Sequence, residues 1–455
     1  MVIKMNIWEN IDKKTYDEIF SYSEDYKNFL NKGKTEREVC AFMEKAAREK
    51  GFKSLEEYKD GLKRGDKILF NNKNKSLVLL VLGENLEDGL HIVGSHIDSP
   101  RLDIKQRPIY EDTGICYLKT HYYGGIKKYQ WPTIELALHG FFIDKNGQKH
   151  NIVIGEDEND PVFYINDLLP HLAKDQMKKT ADQVITGEAL NVVIGHSKFG
   201  VKDEKDGLKN NLLKILKEKY NFDEEDFKVA EFEVTPAAKA RDVGLDRSMI
   251  CGHGQDDRIC SYANFRAILD VENPKKTAVA LLVDKEEIGS VGNTAMSSAY
   301  FEIFLGEILE KMNNYSDLKL KKALYNSKVL SADVAAGLNP DYKDVHDEKN
   351  APILGHGICM VKFTGVRGKG GSNDANAEFL SEIKELFNRE NIIWQTGELG
   401  KVDQGGGGTI AYILAEHGAE VVDMGPAVLS MHAPIELSSK ADAYMTYKAY
   451  KAFMK

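Results

Sequence analysis

The chain is poor in the features that mark several large functional classes. Its 455 residues include only five cysteines, Cys40, Cys116, Cys251, Cys260 and Cys359, and no two of them form a CxxC pair. The odd number and wide spacing argue against a disulfide framework and against a cysteine zinc site, so they read as small buried apolar side chains. No apolar run approaches the roughly 20 residues of a membrane helix, so no membrane partner is expected. The longest runs, 77–82 and 277–283, are short enough to be buried strands. A basic excess is missing too. The net charge is −10, and no basic stripe or aromatic platform stands out, which argues against nucleic-acid binding. The opening MVIKMNIWENIDKK has neither an apolar signal core nor a small-residue cleavage site, so a cytoplasmic location is expected.

What is present is length enough for two or three domains, or for one large domain with an insertion. Thr35–Glu38 reads as a capping box, followed by Val39, Phe42, Met43, Ala46 and Ala47 at helical spacing. SLVLLVL (76–82) is a continuous apolar run, as in a strand buried on both faces, and LHIVG (90–94) is a second strand. From about residue 107 to 243 the texture changes. Loose alternation over 134–143, the turn Asp144-Lys145-Asn146-Gly147 and the run 152–154 predict a hairpin. The stretch 202–225 is strongly charged around one apolar stripe. This region reads as an inserted, β-rich domain. After about residue 244 strands and helices alternate again, with strands predicted at 277–283, 327–331, 358–363 and 420–422. The fold class is therefore α/β, with a sheet between helices.

In such sheets polar sites collect at the carboxyl ends of strands. There the sequence places His96 and Asp98, Asp284-Lys285-Glu286-Glu287, Asp333 and His432, while Asp256-Asp257 opens the helix after the insertion. Each signal alone is weak. Together they offer imidazole and carboxylate donors, which suit zinc or manganese. Neighbouring Glu286 and Glu287 would face opposite sides of a regular strand, so irregular backbone is predicted there.

The segments SHIDSPRLD (95–103), GQDDR (254–258), DKEEIGS (284–290), SADVAAGLNP (331–340), SND (372–374), GGTI (407–410) and SMHAPIE (430–436) resemble the M18 metalloaminopeptidases. The GQDDR form looks like a bacterial subgroup. The resemblance implies a zinc-peptidase fold, a mixed β-sheet sandwiched by helices, over 1–106 and 244–455, with 107–243 as an inserted dimerisation domain. It implies two divalent metal ions per subunit, zinc first, with cobalt or manganese as alternatives. His96 and Asp333 would be terminal ligands of one ion, Glu287 and His432 of the other, and Asp256 would bridge them, with Asp257 kept as the alternative bridge. Glu286 would be the general base and Asp98 would orient His96. His171 would bind substrate or serve as a further metal ligand. Arg367 and Lys369 would favour acidic N-terminal residues, and Asp374 or Asp341 would meet the substrate ammonium. Gly405–Gly408 lacks the Lys-Ser/Thr ending of a phosphate loop and reads as a backbone donor site.

The implied activity is removal of N-terminal residues from peptides by a homo-oligomer, a dodecamer built from dimers. Two other readings stay open on the sequence. One is a related dinuclear-zinc amide hydrolase, a deacylase or carboxypeptidase. The other is an inactive metal-bound assembly or cargo-binding protein.

Overall fold

A computed structural model describes residues 6–199 and 207–455. The start of the charged stretch, 202–206, lies outside them. Two compact units result: residues 1–98, 240–431 and 436–455 form the first, and residues 99–239 and 432–435 the second. The second unit begins at Ser99 because the strand Arg101–Asp112 pairs within its sheet.

The first unit is organised by a nine-stranded mixed sheet. Four neighbouring strands at its centre run parallel, in the order Thr277–Val283, Leu90–His96, Lys328–Ser331 and Glu420–Gly425. Antiparallel strands flank them: Ser76–Val81 on one side, Ile358–Val361 on the other. The apolar runs are explained by side-chain alternation. Leu77, Leu79 and Val81 enter one core cluster, whereas Val78, Leu80 and Leu82 enter another. Ala278, Ala280 and Leu282 alternate in the same way with Val279, Leu281 and Val283. A strand needs apolar residues at every position when both faces are covered.

The first cluster takes its helical residues from Lys13–Lys32, Glu36–Glu49, Gln255–Leu269, Ala377–Arg389 and Lys440–Met454. The second takes them from Tyr300–Lys311, Asp317–Tyr325 and Ala411–Ala415. The predicted capping box opens Glu36–Glu49: Glu38 N–H donates to Thr35 Oγ1, and Thr35 N–H donates to Glu38 Oε2. All five cysteines are free, and four are buried. No helix among the described residues is long and apolar enough to cross a membrane.

The second unit holds a six-stranded antiparallel sheet. Its hairpin Leu136–Ile143 and Lys149–Ile154 turns at Asp144–Gly147, where Asp144 Oδ1 accepts the N–H groups of Asn146 and Gln148.

Leu281 is fully buried in the central strand. Leu281→Ala should cost about 2–5 kcal/mol of stability, measured by chemical denaturation. A loss below about 1 kcal/mol would contradict tight packing on that face.

Candidate metal centre

The centre is built where the parallel strands of the first unit end. Leu90–His96 delivers His96 as its last residue, and helix Gln255–Leu269 fixes that residue's backbone. The His96 N–H donates to Asp257 Oδ2 at 3.3 Å, and the Ser261 hydroxyl donates to the His96 carbonyl at 2.6 Å. The imidazole then faces a ring of acids. His96 Nε2 lies 3.1 Å from Asp256 Oδ1, 3.8 Å from Glu286 Oε2 and 4.0 Å from Asp333 Oδ1. Two sets of donor atoms, His96–Asp256–Glu287 and His96–Glu286–Asp333, each fall within 4.8 Å of one another.

Glu286 and Glu287 follow strand Thr277–Val283 on a one-turn 3-10 segment, Glu286–Ile288. The backbone is irregular, with φ of +66° at Lys285 and +97° at Gly289. Asp98 holds this turn. Its carboxylate accepts the Glu286 N–H on Oδ1 at 3.1 Å and the Glu287 N–H on Oδ2 at 3.2 Å. His96 Nδ1 meets the Asp98 backbone carbonyl at 3.1 Å, with the carboxylate Oδ1 at 3.4 Å. Asp98 thus joins the histidine to the Glu-Glu turn.

Asp256 and Asp257 stand side by side with different partners. Asp256 is within the donor sets, and its N–H donates to Glu436 Oε2 at 3.0 Å. Asp257 is fully buried and turned to the His96 backbone. Asp333 follows strand Lys328–Ser331, and Gly425 leaves room for it. A Cβ at Gly425 would stand 2.0 Å from the Asp333 carbonyl oxygen.

The electrostatics follow from crowding. Burial raises the Asp257 and Asp333 carboxyls well above the usual range, and the neighbouring Asp256 charge adds to this in both. Burial works to lower the His96 pKa, but the contacts to Asp256 and Asp98 outweigh it and hold the imidazole well above its usual value. Buried carboxylates this close together resist simultaneous ionisation unless positive charge lies among them. One imidazole with several carboxylates is a donor set for zinc, manganese or cobalt. The residues therefore fit a divalent metal.

His171, on the short turn Pro170–Leu172, and His432 belong to the second unit. His171 is exposed, and His432 Nδ1 lies 2.8 Å from the Gly125 carbonyl. Arg367 and Lys369 sit on an exposed turn of the first unit. Lys369 Nζ lies 2.8 Å from Asp374 Oδ2 and 3.9 Å from the Phe363 ring centroid. Asp341 is exposed on the 3-10 segment Pro340–Val345.

Two buried acids were not singled out from the sequence. Glu436 had one signal, its place in the SMHAPIE segment. Asp423 lies within the strand Glu420–Gly425, opposite Ser331 at the end of the parallel pairing with Lys328–Ser331. Its Oδ1 accepts the Thr409 hydroxyl at 2.6 Å, and burial pushes its carboxyl up to about 6. That bond anchors the end of the glycine-rich segment, where Gly406 and Gly407 pair with Val366 and Gly365.

A family model described as Aminopeptidase I zinc metalloprotease (M18) matches residues 29–454. The chain belongs to the M18 metalloaminopeptidase family. It is 51% identical over 453 residues to the "Probable M18 family aminopeptidase 1" of Clostridium acetobutylicum, covering 99% of this chain and 97% of that one. The crystal structure of an M18 aminopeptidase from Thermotoga maritima, 45% identical, superposes with a TM-score of 0.96 and full coverage of both chains. That of aminopeptidase I from C. acetobutylicum, 48% identical, gives 0.94, again with full coverage. A structure from S. cerevisiae, only 20% identical, shares the fold with a TM-score of 0.74 and covers 94% of this chain and 95% of that one. This M18 enzyme is accordingly a peptide hydrolase with the α/β architecture expected.

Gly425→Ala should push on the Asp333 backbone. The expected outcome is a loss of about 1–3 kcal/mol of stability, with less zinc retained after gel filtration. Wild-type stability and zinc content would show that the close approach does not position Asp333.

Proposed function

We propose that this M18 enzyme removes N-terminal residues from peptides with two divalent ions, zinc first, and with Glu286 as general base. The observation that carries the proposal is the convergence of His96, Asp256, Glu286, Glu287 and Asp333 within the first unit. His96 and Asp333 would hold one ion, Glu287 would hold the other, and Asp256 would serve both. Asp256 is preferred over Asp257 as the bridge because its carboxylate faces the His96 Nε2, whereas Asp257 is engaged with the His96 backbone. His432, as the remaining ligand, and His171, as a substrate-binding group or weaker ligand, enter on the family resemblance alone.

Divalent metal bound by such donors supplies Lewis acidity, lowering the pKa of a water toward about 7 and polarising the scissile carbonyl. The chain does the rest. Glu286 lies at the cluster's rim with its side chain 16% exposed, so its carboxylate can reach water and substrate. It accepts the proton of the attacking water and returns it to the leaving amine. Asp98 keeps Glu286 and Glu287 in register by holding both of their amides. The imidazole of His96 stays in one orientation because its Nδ1 faces the Asp98 carbonyl. The split between neighbouring glutamates, one on metal and one on the proton, depends on the irregular turn that carries them.

A preference for acidic N-terminal residues is proposed for Arg367 and Lys369, supported by two cations on one exposed turn paired with the glycine-rich strand segment. The S. cerevisiae relative is a dodecamer, and the same assembly from dimers, in the cytoplasm, is proposed for this chain.

Glu286→Gln should lower kcat by about 100- to 10,000-fold while zinc content stays at the wild-type value. Wild-type turnover in that variant would remove Glu286 as the base. Stripping metal with a chelator should abolish cleavage, and zinc, cobalt or manganese should restore it. Cleavage of free but not N-blocked peptides separates the aminopeptidase from a deacylase. Full activity after chelation would contradict metal dependence.

A further inference from the structure

The turn that carries Glu286 and Glu287 is held from two sides. Asp98 holds the amides that follow Lys285. Lys285 itself, the residue that starts the turn, adopts φ +66° and ψ +21°. That left-handed backbone is sterically costly for a lysine, and glycine or asparagine takes it more readily. The lysine's side chain is tied down at the strand end. The Lys285 ammonium donates to Asp284 Oδ2 at 2.7 Å and to Thr294 Oγ1 at 2.6 Å. The Thr294 hydroxyl in turn donates to the same Asp284 oxygen at 2.5 Å. Asp284 and Thr294 are both buried, at 1% and 2% exposure. The three groups close a ring of charge-assisted hydrogen bonds at the end of the central strand Thr277–Val283.

The backbone reinforces the ring. The Lys285 carbonyl accepts the Ser290 N–H at 2.7 Å, so the chain returns on itself across the two glutamates. Asp284 also bridges to Ala295, tying the return segment to the strand end. The Lys285 stem lies along Gly292, where a Cβ would stand 3.0 Å from Lys285 Cδ. A side chain at 292 would therefore press on the tether.

We propose that Lys285, through Asp284 and Thr294, is a positioning residue that fixes the direction in which Glu286 and Glu287 leave the turn. Its ammonium is directed to Asp284 and Thr294, so it acts through the turn and not on the substrate. The inference rests on the reading of Glu286 as base and Glu287 as ligand, and it adds the device that sets their orientation. Two explanations of the left-handed residue are thereby separated. In one, any residue tolerant of positive φ suffices. In the other, the ammonium tether is required.

The test uses the full-length, zinc-loaded enzyme with Lys285→Gly, Lys285→Ala, Thr294→Val and Thr294→Ser. Glycine relieves the backbone and removes the tether. The tether account expects kcat to fall by about 10- to 100-fold in Lys285→Gly and in Lys285→Ala, with KM unchanged, because small misplacements of a catalytic group carry that size of effect. Zinc affinity, measured on the metal-free chain by chelator competition, should also weaken about tenfold in both. Thr294→Val should act in the same direction, and Thr294→Ser, which keeps the hydroxyl, should restore kcat and zinc affinity. Wild-type kcat and zinc affinity in Lys285→Gly would overturn the proposal in favour of backbone tolerance alone. If the Lys285 variants misfold, the Thr294 pair decides: equal kcat in valine and serine overturns the tether, and a deficit confined to valine supports it. Glu286→Gln, assayed alongside, keeps the two readings apart. An active Glu286→Gln defeats the base assignment, whereas an inactive Glu286→Gln with a fully active Lys285→Gly defeats only the tether.

Discussion

Negative charge gathered at the ends of parallel strands is the constraint around which the first unit is arranged. Asp256, Asp257, Glu286 and Asp333 crowd one buried histidine, and burial raises the carboxyls of Asp257 and Asp333. Such a cluster is stable only if something positive sits within it and if every side chain is held against its own repulsion. The second requirement explains much of the surrounding structure. Asp98 and Glu436 accept backbone N–H groups of Glu286, Glu287 and Asp256, and the Ser261 hydroxyl donates to the His96 carbonyl. Gly425 lacks a side chain where the Asp333 segment passes.

The sheet supplies what loops alone would not. Four parallel neighbours end at one edge, so residues far apart in sequence arrive together without long connections of their own. Strand edges buried on both faces move little, and side chains at their ends inherit that rigidity. The Glu-Glu turn is the exception, because adjacent residues must serve different tasks and a regular strand would part them. Its left-handed ends, the Asp98 caps and the Lys285–Asp284–Thr294 ring are the local means by which an irregular segment is kept as stiff as a strand.

The sequence was most readable where one residue pattern has one physical meaning. SLVLLVL and TAVALLV read as strands covered on both faces, and alternate residues indeed enter two separate cores. Thr35 and Glu38 announce a helix start through contacts three residues apart, and the bonds form. Acids after strands marked Asp333 and the 284–287 group for the same topological reason. Partners across space were not readable. Nothing near Glu436 says that it receives the Asp256 amide, 180 positions away, and nothing near Asp98 says that it caps a turn 188 positions on. The strand order, with Thr277–Val283 inserted between Ser76–Val81 and Leu90–His96, is likewise a tertiary fact. Asp423 directly follows the strand expected at 420–422, yet it was passed over, and the strand itself runs on to Gly425.

The central claim is that this cluster is a two-ion site. Anomalous diffraction at the zinc edge, on crystals of the zinc-loaded enzyme, tests it most directly. The account predicts two peaks per chain, one against His96 and Asp333, one against Glu287, with Asp256 reaching both. A single peak, or zinc bound away from these residues, would contradict it.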